Sequence, residues 1–409
     1  MTTAATGGAL ERRLGELLAR RGEANRRFFE AEAERLARLC HRMAERFARG
    51  GRLLAVGRSP IARSDARHVA VEFVHPVIVG KRALPAIGLA GEGGPLSGQL
   101  DGVAGPDDIV IAFGAEEDRS GETAAAVALG RERGCLTIAF AQAGAEWELE
   151  PSEPDPFVRQ ELVETLYHVL WELVHVFFEH RGLLAGREAG PVHDAGAASF
   201  LYPFLSEGEQ DLDAVVEDVR RSALAKSAEA GELREQTLGE NRDVLVAAAA
   251  AIRRSFEAGG TLLAFGNGGS ATDAMDLVAD LRAAPQGWPA RRAVDLTEDA
   301  SILTAIANDV GVEEIFQRQL IAHGRDGDVA VALSTSGNSA NLVEALAEAR
   351  RRRLATVAFV GYDGGRIAAE RLADHVVVTR SQHIPRIQEA QASAYHVLRE
   401  LIELVGPEA

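Results

Sequence analysis

Three short apolar runs in the first half of the chain recur, in the same order, in the second. Leu53-Leu54-Ala55-Val56-Gly57 returns as Leu262-Leu263-Ala264-Phe265-Gly266. Residues 108–113 (DIVIAF) return as 328–333 (DVAVAL), and residues 136–140 (LTIAF) as 355–359 (ATVAF). The offsets are 209, 220 and 219 residues, so small insertions account for the whole drift. Such a chain is expected to fold one unit of about 200 residues twice.

Each run is too short for a globular helix and ends in glycine or a polar residue, which reads as a buried strand. Stretches with a 3.6-residue apolar period lie between the runs, for example 340–353. Strand alternating with helix predicts an α/β fold: in each half a three-layer αβα sandwich with a central parallel sheet flanked by helices. Helices are expected to open and close each half, over 26–49 and 157–181 in the first and over 212–259 (broken) and 387–405 in the second. Gly406-Pro407 suits the last stop. Residues 186–208 turn rich in Gly, Pro and Ser and read as a linker. The expected organisation is an N-terminal extension over 1–24, a first domain over 25–185, the linker over 186–208 and a second domain over 209–409.

Composition narrows the partners. The 409 residues carry 44 Lys+Arg against 61 Asp+Glu, a formal charge of −17, and only 5% are aromatic. That balance disfavours nucleic-acid and anionic-membrane surfaces. It leaves small anions open, since a helix N-terminus can hold a phosphate without lysine. Cys40 and Cys135 are the only cysteines, so neither a disulfide framework nor a cysteine zinc module is expected. The opening residues lack a leader pattern, and the longest apolar stretch, 244–252, is too short to span a bilayer. A cytoplasmic protein is the expectation.

Two loops of the second half follow predicted strands and open predicted helices: Gly266-Asn267-Gly268-Gly269-Ser270 and Ser334-Thr335-Ser336-Gly337-Asn338-Ser339. In a parallel sheet such loops lie at the carboxyl ends of the strands, where ligands bind. Glycines allow close backbone approach, and four hydroxyls plus free helix N–H groups supply donors to an oxyanion. The Gly-rich loop alone reads equally well as a simple turn. Neither loop has P-loop or dinucleotide spacing, so no nucleotide cofactor is expected.

With these loops, Ala305-Ile306-Ala307-Asn308-Asp309, Gly361-Tyr362-Asp363-Gly364-Gly365 and Arg386-Ile387-Gln388-Glu389, the second half resembles the sugar isomerase (SIS) domain family, and within it the phosphoheptose isomerases. The resemblance runs from about residue 241 to 404, and the first half reads as a divergent copy. It implies binding of a small phosphorylated sugar by Asn267, Gly268, Ser270, Asp309, Ser334, Thr335, Ser336 and Ser339. It also implies aldose–ketose isomerisation of the sedoheptulose 7-phosphate type through an enediol, with zinc as the implied metal. A homo-oligomer, a dimer of tandem units, is the implied assembly.

The same resemblance places acid/base and metal positions, and here the halves diverge. Family members carry His and Glu at i,i+4 after the Gly-rich loop, and Gln and His eight apart on a late helix. In the second half these positions hold Asp276, Asp280, Gln388 and His396; in the first they hold His68, Glu72, Gln160 and His168. All eight are the implied metal set, with Asp280, His396, Glu72 and His168 as the acid/base positions. Replacing Glu by Asp at 280 retracts a carboxylate by about 1.5 Å, and a shift of ~1 Å can cost ~100-fold in rate. Gln and His eight apart on a helix are separated by ~12 Å of rise, near the limit for one shared ion. For His168, among Tyr167, Trp171 and Phe177, core packing and ligation both stay open. The first half has Ala115-Glu116-Glu117-Asp118-Arg119-Ser120 where the second has its hydroxyl loop, and three carboxylates there would repel phosphate. A second functional reading therefore stands beside the isomerase: a non-catalytic phosphosugar sensor or a module that binds a protein partner.

Overall fold

The computed structural model describes residues 2–78, 81–90, 93–114, 118–179, 211–283 and 287–404. The expected linker at 186–208, the Glu116-Glu117 pair and the Gly406-Pro407 stop lie outside the described residues. The first-half sheet is built from β1 (Leu53–Gly57), β2 (Ala86–Leu89), β3 (Ile109–Phe113), β4 (Leu136–Ala139) and β5 (Trp147–Glu148). The second-half sheet is built from β6 (Leu262–Gly266), β7 (Ala293–Asp295), β8 (Val329–Ser334), β9 (Ala355–Gly361) and β10 (His375–Thr379). Their orders, β2-β1-β3-β4-β5 and β7-β6-β8-β9-β10, are the same doubly wound order, with every pair parallel. The repeated runs thus occupy corresponding central strands.

The helices are α1 (Thr2–Ala48), α2 (Pro60–Val74), α3 (Leu96–Asp101), α4 (Glu122–Glu132) and α5 (Pro156–Glu179) in the first half. In the second are α6 (Leu212–Glu240), α7 (Arg242–Glu257), α8 (Gly269–Arg282), α9 (Ala300–Asp309), α10 (Ile315–His323), α11 (Ala340–Arg351), α12 (Gly365–Ala369) and α13 (Ile384–Leu404). The expected extension over 1–24 is part of α1. The first proline of the chain is Pro60, so nothing before it forces that helix to stop. The expected break within 212–259 falls at Asn241, whose side chain tethers the chain to β10. Its amide donates to Val378 O (2.9 Å) and its carbonyl accepts from Val378 N (2.8 Å).

Packing divides the chain into two compact units. One comprises residues 1–23, 156–161 and 230–409; the other comprises 24–155 and 162–229. The start of α1 and the first turns of α5 therefore belong with the second sheet. Leu14 and Leu17 enter the same apolar cluster as Leu245, Leu262, Phe359 and Leu398. The next residues of β6, Leu263 and Phe265, join Phe316, Leu320 and Leu346 on the opposite face of the sheet. Both faces are covered, which is why the strand reads as a continuous apolar run. Among the described residues no helix is long and apolar enough to cross a membrane.

The repeat extends to polar detail. Asp108 Oδ1 accepts from Arg52 N (2.7 Å) and Oδ2 from Gly105 N (2.9 Å). Asp328 does the same with Thr261 N and Arg325 N, both at 2.8 Å. In each half this aspartate ties the start of one central strand to its neighbour. Gly57 and Gly266 end the first strand of each sheet, where a Cβ would lie 2.1 Å from Ala62 O and 2.2 Å from Ser270 O. Only glycine lets the following helix approach so closely.

Candidate functional site

In the second-half unit, β6 and β8 are adjacent and their carboxyl ends open α8 and α11, the switch point of the sheet. Gly268 supplies a positive φ (58°) at the N-cap of α8, and Ser270 is buried in its first turn. The Asn267 and Asn341 amides hydrogen-bond each other in both directions at 3.0 and 2.9 Å, joining the two loops with a neutral pair. Ser334 Oγ accepts from Gly337 N (3.0 Å) and Ser336 Oγ from Asn338 N (3.2 Å), which curls residues 334–339 into a compact turn. Ser339 occupies the N-cap of α11 without a side-chain cap bond.

A second loop braces that turn. A Cβ on Gly361, Gly337 or Gly365 would lie 2.3 Å from Thr335 O, 2.3 Å from Gly364 O and 2.4 Å from Ser336 O, respectively. The glycines of 361–365 are therefore required because their backbone lies directly against the hydroxyl loop. Asp309 ends α9, exposed, and accepts from Asn308 Nδ2 (2.7 Å).

His396 is wholly buried on α13. Its Nδ1 lies 2.9 Å from Glu161 Oε1 and its Nε2 3.5 Å from Asp280 Oδ2. Burial would raise Glu161, but Arg21, His396 and Arg234 outweigh it and hold its carboxyl down to about 2. Asp276 accepts from Tyr395 OH (3.4 Å) and, like Gln388, is buried.

The first-half unit carries a different cluster. His68 on α2 and His168 on α5 bring their Nε2 atoms to 3.4 Å. Tyr167 OH lies 2.9 Å from His68 Nδ1, and Glu72 Oε1 lies 3.9 Å from His68 Nε2. Burial first, and then His168, push His68 well below the ordinary histidine range, so its ring is neutral. Donor atoms of His68, Glu164 and His168 all lie within 4.8 Å of one another. Among the described residues this is the only such trio, and Asp276, Asp280 and His396 do not form one. Two imidazole nitrogens at ~2.0–2.1 Å from a tetrahedral zinc stand about 3.3–3.4 Å apart. The observed separation, the carboxylate and the neutral ring all fit that ion. Gln160 lies one turn before Glu164 on α5; its buried amide makes no hydrogen bond among the described residues.

Where the second half has hydroxyls, the first half has its own anion. Asp118 Oδ2 accepts from Thr123 N (2.7 Å) in the first turn of α4, and Oδ1 accepts from Ser120 N (2.9 Å). Against burial, the bonds from Ser120 and Thr123 hold its carboxyl at about 2. An ionised side chain thus occupies this helix start, and a phosphate would meet it.

Residues 227–361 match the SIS domain family. A phosphoheptose isomerase of Thermodesulfovibrio yellowstonii is 37% identical over 189 residues, spanning 46% of this chain and 92% of that protein. One of Chlorobaculum tepidum is 44% identical over 175 residues, 42% of this chain and 83% of that protein. The chain belongs to the SIS-domain family of the phosphoheptose isomerases. The sequence likeness covers its second half, whereas a likeness of fold covers both. The C-terminal domain of a glucosamine-fructose-6-phosphate aminotransferase from Francisella tularensis aligns over 94% of this chain and 93% of that domain. Its TM-score is 0.60 at 8% identity, so the shared feature is the fold.

Against the SIS pattern, sequence reasoning missed four residues at these sites. Glu164 sits four residues before His168, a helix spacing that was there to be read. Glu161 belongs to a Gln-Glu pair that recurs at 388–389. Asn341, just inside α11, and Arg21, far away in sequence, carried no local signal.

Proposed function

We propose that this chain binds a phosphorylated sugar on the 334–339 loop of its second-half unit and interconverts its aldose and ketose forms. Sedoheptulose 7-phosphate is the first substrate to test. The observation that carries the reading is the loop: neutral hydroxyls and N–H groups at a helix start, held in shape by the 361–365 glycines. That chemistry suits a phosphate dianion in a chain with no lysine at the loop. Asn267, Gly268, Ser270 and Asp309 are proposed to contact the sugar.

Isomerisation moves a proton from the carbon beside the carbonyl to the carbonyl carbon, through an enediol, while a proton exchanges between the two oxygens. It needs an acid and a base within hydrogen-bond reach of adjacent carbons. His396 and Asp280 are the proposed pair, with Asp276 and Gln388 beside them in the family pattern. In the first-half unit, zinc would be held by His68, Glu164 and His168, with Glu72 close behind, and when bound would supply Lewis-acid chemistry at that unit. A cytoplasmic homo-oligomer goes with this reading.

A second reading has its own observation. His396 and Asp280 are at most 1% exposed, which suits a sensor or partner-binding protein that holds the sugar without turning it over. Proton exchange into sedoheptulose 7-phosphate in deuterated water, followed by NMR, separates the two. Exchange and isomerisation lost in His396→Asn support the enzyme; binding without either, in the unaltered protein, overturns it.

A further inference from the structure

Glu161 and Arg21 lie outside every motif that points to the second-half unit, yet both pack inside it. Arg21 Nε donates to both carboxylate oxygens of Glu161 at 3.0 and 3.1 Å. Ser393 Oγ, one turn before His396, donates to Oε2 (2.5 Å), and His396 Nδ1 lies 2.9 Å from Oε1. Arg234 Nη2 holds the main-chain carbonyl of Glu161 (3.1 Å). A carboxylate paired with an arginine and a hydroxyl donor is an acceptor only, so the histidine nitrogen facing it carries the proton.

The other sides of the ring are fixed as well. Phe157, one turn before Glu161, stacks on its face with centroids 4.8 Å apart at 24°, and Tyr395 meets its edge at 4.6 Å. Nε2 is left turned toward Asp280.

We propose that Glu161, anchored by Arg21, is the positioning residue of the His396–Asp280 centre, fixing His396 with its proton on Nδ1 and presenting Nε2 for proton exchange. The catalytic part of this inference rests on the isomerase reading; the tautomer does not. It gives the start of α1 a role: Arg21 also reaches Glu400 (3.7 Å), so one guanidinium ties α1 to α5 and α13. It also gives the repeated Gln-Glu pair a division of labour, since Glu389 instead pairs with Arg386 three residues before it.

The test is nitrogen NMR of the full-length protein labelled with ¹⁵N-histidine, with His396 identified by the signals lost in His396→Asn. The expected wild-type spectrum has Nδ1 protonated. Glu161→Gln keeps an acceptor in place and should keep that tautomer. The paired variant Arg21→Met with Glu161→Leu removes the acceptor together with the guanidinium bonded to it, and should shift the proton toward Nε2. In that variant kcat should fall by about 100-fold with KM nearly unchanged. A wild-type His396 protonated on Nε2 alone overturns the proposal, as does a tautomer that the paired variant leaves unmoved. Because the spectrum needs no turnover, an inactive wild type with Nδ1 protonated overturns the isomerase reading and leaves the positioning of His396 supported.

Discussion

The same junction is built twice with opposite chemistry. In the second-half unit the residue after the strand glycine is Asn267, and its amide meets Asn341 in the first turn of α11. In the first-half unit the residue after the strand glycine is Arg58, and it faces Glu122 in the first turn of α4 at 3.7 Å. One junction is neutral and rich in donors; the other is charged and already holds the Asp118 carboxylate. The buried histidines are divided the other way. The first half brings His68 and His168 together with Glu164, whereas the second has a single histidine between two carboxylates. One scaffold therefore carries a neutral hydroxyl loop in one copy and a buried His/Glu/His trio in the other, because the sheet fixes where loops open and leaves their chemistry free.

The largest effect expected from breaking this division is on the metal. At free zinc ~1,000-fold above its Kd, an intact site should stabilise the protein by about 4 kcal/mol. His168→Ala should abolish that increment and take bound zinc, measured by elemental analysis, to near zero. Retention of zinc in His168→Ala would place the ion elsewhere. Next is the brace. Gly365→Val puts a side chain where Ser336 O lies 2.4 Å away and demands φ of +54° from a β-branched residue. Displacement of the hydroxyl loop by ~1 Å should lower kcat/KM for the phosphosugar by about 100-fold. An unchanged kcat/KM would detach the 334–339 loop from the substrate.

Importing first-half chemistry into the second half is a smaller step. Asn341→Asp adds one carboxylate near the loop and should weaken phosphosugar binding by about 1 kcal/mol, roughly five-fold, in calorimetry. The smallest effect is at Asp118. Its carboxyl is held at about 2, below the ordinary aspartate value, so its contribution is complete above about pH 4 and is lost as pH falls through about 2. Asp118→Asn should cost at most about 1 kcal/mol at pH 7 in urea unfolding, solvent screening included, and only a small fraction of that at pH 2. A cost that persists in full at pH 2 would mean that packing, rather than the ionised cap, is lost.

The fold was legible because both faces of each sheet are covered, which writes the central strands as short apolar runs that can be matched by eye. The loops were legible because Gly266, Gly337 and Gly365 are fixed by close backbone approach, a constraint that survives in sequence. The membership of residues 1–23 and 156–161 in the second-half unit was not legible, since nothing local at Arg21 or Glu161 records a partner more than a hundred residues away. Glu164 carried no family signal, because the family positions fall at Gln160 and His168 and give no role to the carboxylate halfway between them.

The central claim is that the sugar's phosphate is recognised by the second-half hydroxyl loop and not by its first-half counterpart. Isothermal calorimetry with sedoheptulose 7-phosphate on Thr335→Ala/Ser336→Ala and, in parallel, on Ser120→Ala in the first-half loop tests it most directly. The account predicts that the double substitution weakens binding at least ten-fold, about 1.4 kcal/mol, while Ser120→Ala binds as the unaltered protein does. Binding that ignores the 335–336 hydroxyls, or that falls with Ser120, would contradict it.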